Sequence, residues 1–245
     1  MNVPWWIAEL AAAFWAEAGG PAPFPRDLRG PIAGAFPLAV LARPSLSTEA
    51  VREWLHRRRI AFPLRGADRP LRACLVARDG GGFLFLDAAD DPAEQRFSLA
   101  HELAHFLRHY WQPRLRASAR LGGRILEVFD GRRPPSRVER LDALLAGVAL
   151  GFHAHLMGRD AGRRPAGAVA VAEQEADRLA HELLAPAAAV AVRLAGNGRG
   201  DRRGRAAAEL RDFFGLPAAE ADAYASILFP AAAPDPLLLR LRGNC

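Results

Sequence analysis

The sequence predicts an α+β protein that is mostly helical and carries a small sheet beside one unusual helix. Apolar residues recur with helical periodicity over much of the 245-residue chain. Short apolar segments between positions 59 and 87 are typical of strands, and DGGG at 79–82 suits a tight hairpin turn. The helix that follows contains FSLAHELAHFLRH, 97–109, in which two histidines and a glutamate interrupt an apolar stripe.

The composition is that of an ordinary globular protein, with 51% hydrophobic and 24% charged residues, which argues against disorder. All 33 basic residues are Arg and the net charge is +6, which permits an acidic partner but also fits Arg-rich codon usage. The two cysteines, Cys74 and Cys245, cannot form a disulfide framework. The apolar N-terminus lacks a basic region, and the longest apolar run is about half a membrane span. We therefore expect a cytoplasmic protein without a membrane segment.

Three parts of the chain are predicted: an N-terminal helical segment (1–58), a core (59–195) with a helical insertion at about 112–168, and a C-terminal part (196–245). In the first, helices are expected over 4–18, 30–41 and 45–59, the last capped by Ser47 or Thr48. Strands are expected at RIAFPL (59–64), LRACLVAR (71–78) and GFLFLD (82–87).

The remaining segments follow from proline, glycine and hydrophobic spacing. They are a loop over 112–135, a long apolar helix over 136–157, a linker over 158–167, a helix over 170–194, a basic glycine-rich loop over 196–205 and a helical pair over 206–228.

His101, Glu102 and His105 form H-E-x-x-H on the predicted helix. Residues four apart lie on one helix face, so both imidazoles can reach one zinc ion at ~2.0–2.1 Å. A carboxylate between them can act as the general base towards water that the metal activates, which is the chemistry of peptide hydrolysis. The competing interpretation is a pair of core histidines bonded to carbonyl groups.

A third ligand is expected from AVAEQEADRLAHELLAP, 170–186. Glu173 is followed on its helix face by small or acidic residues and borders the apolar side, whereas Glu175 is followed by Arg178 and reads as more exposed. Glu173 is therefore the better candidate, and Asp177 is placed to fix the tautomer of a zinc-bound imidazole. A solvated acidic face is the alternative.

Three other histidines are not expected to bind this metal. His109 lies eight residues after His101, ~12 Å along a straight helix, and is expected to support the site or the fold. His153 and His155 are two apart in the predicted 136–157 helix, on different faces, so a shared metal is not expected.

RFSLAHELAHFLRH (96–109) and EQEADRLAHELLAP (173–186) resemble the two motif blocks of the ImmA/IrrE family of bacterial metallopeptidases. The resemblance implies that His101, His105 and Glu173 are zinc ligands and that Glu102 is the general base. It also implies that Asp177 supports the ligands from outside the first coordination shell. It also implies a zincin-like, specifically gluzincin-like, fold with a small sheet flanking the active-site helix. Ala104, Leu179 and Ala185 replace the family's usual Gly, Phe and Met, and a long insertion separates the blocks.

By the same resemblance, the protein is expected to be a zinc metalloendopeptidase acting on one protein substrate. Members of the family cleave a transcriptional repressor or a similar regulator of stress responses or mobile elements. A non-catalytic regulatory binding protein with a structural or vestigial zinc site is the alternative. Direct nucleic-acid binding through 45–60 or 196–205 is supported only by arginine density.

Overall fold

The computed structural model describes residues 3–64, 66–145, 150–151, 153–159, 166–195 and 201–230. The helices are α1 (Trp5–Glu17), α2 (Arg29–Ala35), α3 (Thr48–Arg57), α4 (Pro92–His105), α5 (Gln112–Leu121), α6 (Ile125–Phe129), α7 (Arg137–Leu145), α8 (Gly167–Leu184), α9 (Ala187–Leu194), α10 (Arg202–Asp212) and α11 (Ala218–Leu228). A π-helical segment, Phe106–Trp111, joins α4 to α5. The strands are β1 (Leu38–Arg43), β2 (Leu71–Arg78), β3 (Gly81–Asp87) and β4 (His153–Gly158). The predicted class, a mostly helical α+β protein with a small sheet, is confirmed.

The four strands form one mixed sheet in the order β1-β3-β2-β4. β1 runs parallel to β3, whereas β2 is antiparallel to both β3 and β4. The β2–β3 hairpin turns at Asp79 and Gly80, whose φ angles of 54° and 79° require the left-handed conformation that Asp tolerates and Gly favours. This confirms the predicted hairpin.

The sheet separates two apolar layers. Alternate residues of β2 and β3, such as Cys74 and Phe85, face α3, where Trp54 packs against Phe85. The intervening residues, such as Leu75, face the larger core, which contains α1, α4 and α8. This alternation is the period-two pattern of a strand buried on both faces, and it fixes which sheet face α4 covers.

Helix α4 begins at a well-defined cap and is buried over its second half. The Asp91 carboxylate accepts a hydrogen bond from the Ala93 amide (2.8 Å), and proline occupies the first turn, where its missing N–H costs nothing. Every residue from Phe97 to His105 is buried. Helix α8 packs on α4, and both helices bury alanines at 0% exposure, which lets their backbones approach closely: Ala100 and Ala104 in α4, Ala176 and Ala180 in α8.

Several predicted helices are present with small changes of boundary. Helix α1 occupies most of 4–18, and α10 and α11 form the predicted pair around FGLP. Helix α3 begins as expected, with the Ser47 hydroxyl accepting a hydrogen bond from the Ala50 amide at 3.2 Å.

Two predictions for the first half of the chain are wrong. The expected helix over 30–41 ends at Ala35, because Pro37 forces the preceding Phe36 into an extended conformation and β1 follows. RIAFPL (59–64) forms no strand: β1 occupies the free edge of β3, and Pro63 cannot donate to a ladder. The segment 1–58, expected to be helical, therefore contributes a strand to the sheet.

The segment 112–135, predicted as a loop, contains α5 and α6. Pro113 lies in the first turn of α5, where proline is tolerated, and Gly122 ends the helix with a φ of 79°. The single helix predicted over 170–194 is two helices, because Pro186 interrupts it between α8 and α9.

The long helix predicted over 136–157 is also wrong. It is replaced by α7 and by the edge strand β4, which pairs with β2. Pairing along an open sheet edge overrides the local helical preference of this apolar stretch. The insertion at 112–168 is therefore not wholly helical. Positions 160–165 of the predicted linker and 196–200 of the predicted basic loop lie outside the described residues.

The division into 1–58, 59–195 and 196–245 stays a prediction. Across the described ranges, no helix combines the length and apolarity that a membrane crossing requires.

Tyr110, in the π-helical segment, joins two separate parts of the fold and provides a test of it. Its hydroxyl donates to the Asp130 carboxylate (2.6 Å) and accepts from the Gly80 amide (2.8 Å). We expect Tyr110→Phe to lower the free energy of unfolding in urea by about 1–3 kcal/mol, because buried partners lose their bonds. Trp5→Phe, at a position 76% exposed, is the control and should change it by less than about 0.5 kcal/mol. An unchanged value in Tyr110→Phe would refute this role.

Candidate metal centre

Four side chains from three elements converge beside the α4–α8 contact. His101 and His105 come from α4, Glu173 from α8 and His155 from β4. The Nε2 atoms of His101 and His105 lie 3.1 Å apart. Glu173 Oε2 lies 3.4 Å from the first, and Glu173 Oε1 lies 3.6 Å from the second. The structure thus brings together His101, His105 and Glu173 from the predicted set.

The orientation of the His101 ring is set by a contact on the side away from the cluster. Its Nδ1 lies 2.9 Å from Asp177 Oδ1, one turn after Glu173 on α8. A carboxylate in this place accepts the Nδ1 hydrogen, so Nε2 is the nitrogen directed at the cluster. Asp177 therefore makes the contact that its predicted role requires.

Glu102 is fully buried and turned towards β4. Its two carboxylate oxygens lie 2.9 and 3.0 Å from Nδ1 of His155, and the side chain is 0% exposed. The Nε2 of the same imidazole lies 3.0 Å from Glu173 Oε1. One histidine therefore connects the predicted general base to the predicted third ligand.

Carboxylates and imidazoles in and beside the cluster shift one another's pKa. Burial raises the pKa of Glu102, but the lowering by His155 and the two α4 histidines is larger, so the net shift is downward. Burial also acts against ionisation of Glu173, yet hydrogen bonds from three imidazoles hold its pKa well below the usual range. For His101, burial is outweighed by Asp177 and Glu173, which raise its pKa to about 9. For His155, burial is outweighed by Glu102 and Glu173, which raise its pKa to about 10. The three carboxylates, Glu102, Glu173 and Asp177, outnumber the two imidazolium groups, and a divalent cation can offset this excess of negative charge.

The donor atoms fit a metal ion. Ligands at ~2.0–2.1 Å from a tetrahedral centre lie ~3.3–3.4 Å from one another. The donor pairs described above are separated by 3.0 to 3.6 Å, and all four donors lie within 4.8 Å of one another. Imidazole nitrogens and a carboxylate oxygen are ligands that zinc and similar divalent ions accept. The cluster can therefore hold a metal.

Glu175 lies outside the cluster, against the π-helical segment. Its carboxylate accepts two hydrogen bonds from Arg108, at 2.9 and 3.2 Å, and lies 3.5 Å from His109 Nε2. His109 Nδ1 in turn lies 3.1 Å from Nδ1 of His105. Burial lowers the pKa of His105 to about 4 and also lowers that of His109. A neutral His105 with its Nδ1 bonded to His109 presents Nε2 to the cluster.

His155 is the residue of the cluster that the sequence interpretation missed. Its exclusion rested on the helix predicted over 136–157, in which His153 and His155 point apart; in a strand, residues two apart share a face. His153 packs on Phe129 at 5.0 Å and His155 on His105 at 3.7 Å between ring centroids. The alternation of HAHLM could have indicated a strand.

Comparison with known proteins adds one match. Residues 64–123 match the family model described as the IrrE N-terminal-like domain, Peptidase_M78. The match shows that this segment is similar to the IrrE N-terminal-like domain. No curated protein and no solved structure matches the chain.

The IrrE-like segment is about a quarter of the chain and covers β2, β3, α4, the π-helical segment and α5. It includes His101, Glu102 and His105 but ends before His155 and Glu173. The match indicates a peptidase. The partners that complete the cluster are supplied by this chain's own geometry, outside the matched segment.

Two glutamates two residues apart on α8 allow a matched test of the cluster. Glu173→Ala removes a donor that lies within 3.6 Å of three imidazole nitrogens, whereas Glu175→Ala removes only the partner of Arg108 and His109. We expect the parent to hold one zinc per chain during dialysis against a chelator, as measured by elemental analysis. Glu175→Ala should retain that zinc and Glu173→Ala should lose it. Loss in Glu175→Ala with retention in Glu173→Ala would contradict the assignment.

Proposed function

We propose that this protein is a zinc-dependent endopeptidase that cleaves one specific protein, a DNA-binding transcriptional repressor or a similar regulator of stress or mobile elements. The observation that carries the proposal is the convergence of His101, His105 and Glu173, with Glu102 beside them. The family match supports peptidase activity in general. The repressor as substrate follows from the family resemblance of the two motif blocks.

Each residue has a distinct task in the proposed reaction. His101, His105 and Glu173 would hold zinc, and a bound zinc ion would supply Lewis-acid chemistry to the scissile carbonyl and to water. Glu102 takes a proton from water while the water oxygen attacks the carbonyl carbon. It then passes that proton to the leaving amide nitrogen. Its lowered pKa keeps the carboxylate ionised. Asp177 keeps the His101 ring in one orientation throughout.

Among the described residues of the site, the side chains from α8 are the most exposed. The side chains of Glu173 and Asp177 are 28% and 47% exposed, whereas Glu102 is 0% exposed. A substrate peptide would therefore approach across the α8 side.

One observation favours the alternative, a non-catalytic binding protein with a structural zinc site. The cluster contains four potential ligands, and structural zinc sites typically have four protein ligands. Glu102 would then serve only to orient His155.

Substitution of Glu102 separates the two functions. We expect Glu102→Gln to retain zinc but to cleave at least ~10²-fold more slowly, because an amide cannot accept the proton. The measurement is mass spectrometry of new protein N-termini in a cell extract from the source organism, with parent and variant added separately. New N-termini should fall in a DNA-binding regulator and should disappear with a zinc chelator.

Glu94→Gln is the matched control, because Glu94 lies on the same helix but pairs with Arg72 (2.7 Å), outside the cluster. It should cleave at the parent's rate. Cleavage by Glu102→Gln at that same rate would rule out the proposed role of Glu102.

A further inference from the structure

His155 is placed in the cluster by β4, an edge strand that lies outside the family-matched segment. Its ring stacks on the ring of His105, with centroids 3.7 Å apart and an angle of 17° between the planes. Its two nitrogens point to different carboxylates: Nδ1 to Glu102 and Nε2 to Glu173. A histidine that only filled space would not need carboxylate partners on both sides.

The Nε2 of His155 has the separation expected of a fourth ligand. It lies 3.0 Å from Glu173 Oε1, and His155 is one of the four residues whose potential ligand atoms lie within 4.8 Å of one another. Catalytic zinc sites in proteins keep one position free of protein ligands, whereas structural sites fill all four. With His155 included, the donor set is of the filled kind.

The Nδ1 of His155 lies within hydrogen-bond distance of both carboxylate oxygens of Glu102. A metal-binding imidazole commonly donates its other N–H to a carboxylate, and Glu102 is in that place at 2.9 Å. Glu102 is also 0% exposed, with His155 at 18% exposure on its β4 side. In this arrangement Glu102 holds a ligand and is not available to water.

We propose that His155 is a fourth protein ligand of the metal and that the conformation described here is a latent form of the peptidase. In this form His155 fills the position that the substrate carbonyl requires and engages Glu102. The inference rests on the proposed function. Withdrawal of this single side chain from the cluster would free both the coordination position and the general base, so β4 is the element through which activity is controlled.

Binding of a small chelating ligand to the cobalt-loaded protein tests this directly. Co²⁺ replaces zinc in the parent and in His155→Ala, and the visible absorption spectrum is followed while acetohydroxamate is added. We expect the parent spectrum to change weakly and His155→Ala to bind at least about tenfold more tightly, because a closed form populated above ~90% weakens apparent affinity by that factor. Equal affinity in both proteins would overturn the proposal.

His153→Ala is the matched control, because His153 lies on the same strand but bonds to the Gly151 carbonyl and packs on Phe129. It should behave as the parent does. If His155→Ala does not fold, as judged by circular dichroism, His155→Phe keeps a ring beside His105 and removes both nitrogens. Loss of a ligand then changes the cobalt spectrum itself, and an unchanged spectrum would overturn the proposal. Failure of the parent to bind Co²⁺ would instead contradict the proposed function.

Discussion

The close packing of α8 on α4 is the constraint on which the rest of the site depends. Alanines at 0% exposure on both helices, including Ala104 and Ala176, allow the two backbones to approach. This approach brings Glu173 within 3.4 Å of His101, and without it H-E-x-x-H would be two buried imidazoles facing each other at 3.1 Å. A larger residue at either alanine would separate ligands that are far apart in sequence.

The buried polar side chains of α4 have to be paired with other polar groups. His101, Glu102 and His105 are each at most 5% exposed, and every one of them has a polar partner in the cluster. Burial alone would oppose the charge on each group. The partners outweigh burial in setting the pKa of His101 and Glu102, whereas burial prevails for His105. A charge left without its partner in the apolar core around α4 is costly. The core therefore favours the one arrangement in which these groups are paired.

The features that could be predicted are those encoded within one helix. The spacing of His101 and His105 places them on one face, and the neighbours of Glu173 and Glu175 distinguish an inner from an outer carboxylate. The structure brings Glu173 into the cluster and pairs Glu175 with Arg108. Helical periodicity is local, so a single sequence contains the information.

The features that could not be predicted depend on partners distant in the chain. β1 and β4 are strands because β3 and β2 offer them free edges, and their own residues also suit helices. The error over 136–157 then removed His155 from consideration, because its face is defined only once the strand is recognised. The π-helical segment likewise has no sequence signal that we could use, yet it places Arg108 and His109 against Glu175.

We expect the four clustered side chains to form a metal centre of nitrogen and oxygen donors. X-ray absorption spectroscopy at the zinc edge, on the full chain loaded with one equivalent of zinc, tests it most directly. We predict a first shell of nitrogen and oxygen at ~2.0–2.1 Å with the outer-shell scattering of imidazole rings. A sulfur shell at ~2.3 Å, or a shell of oxygen alone without imidazole, would contradict it.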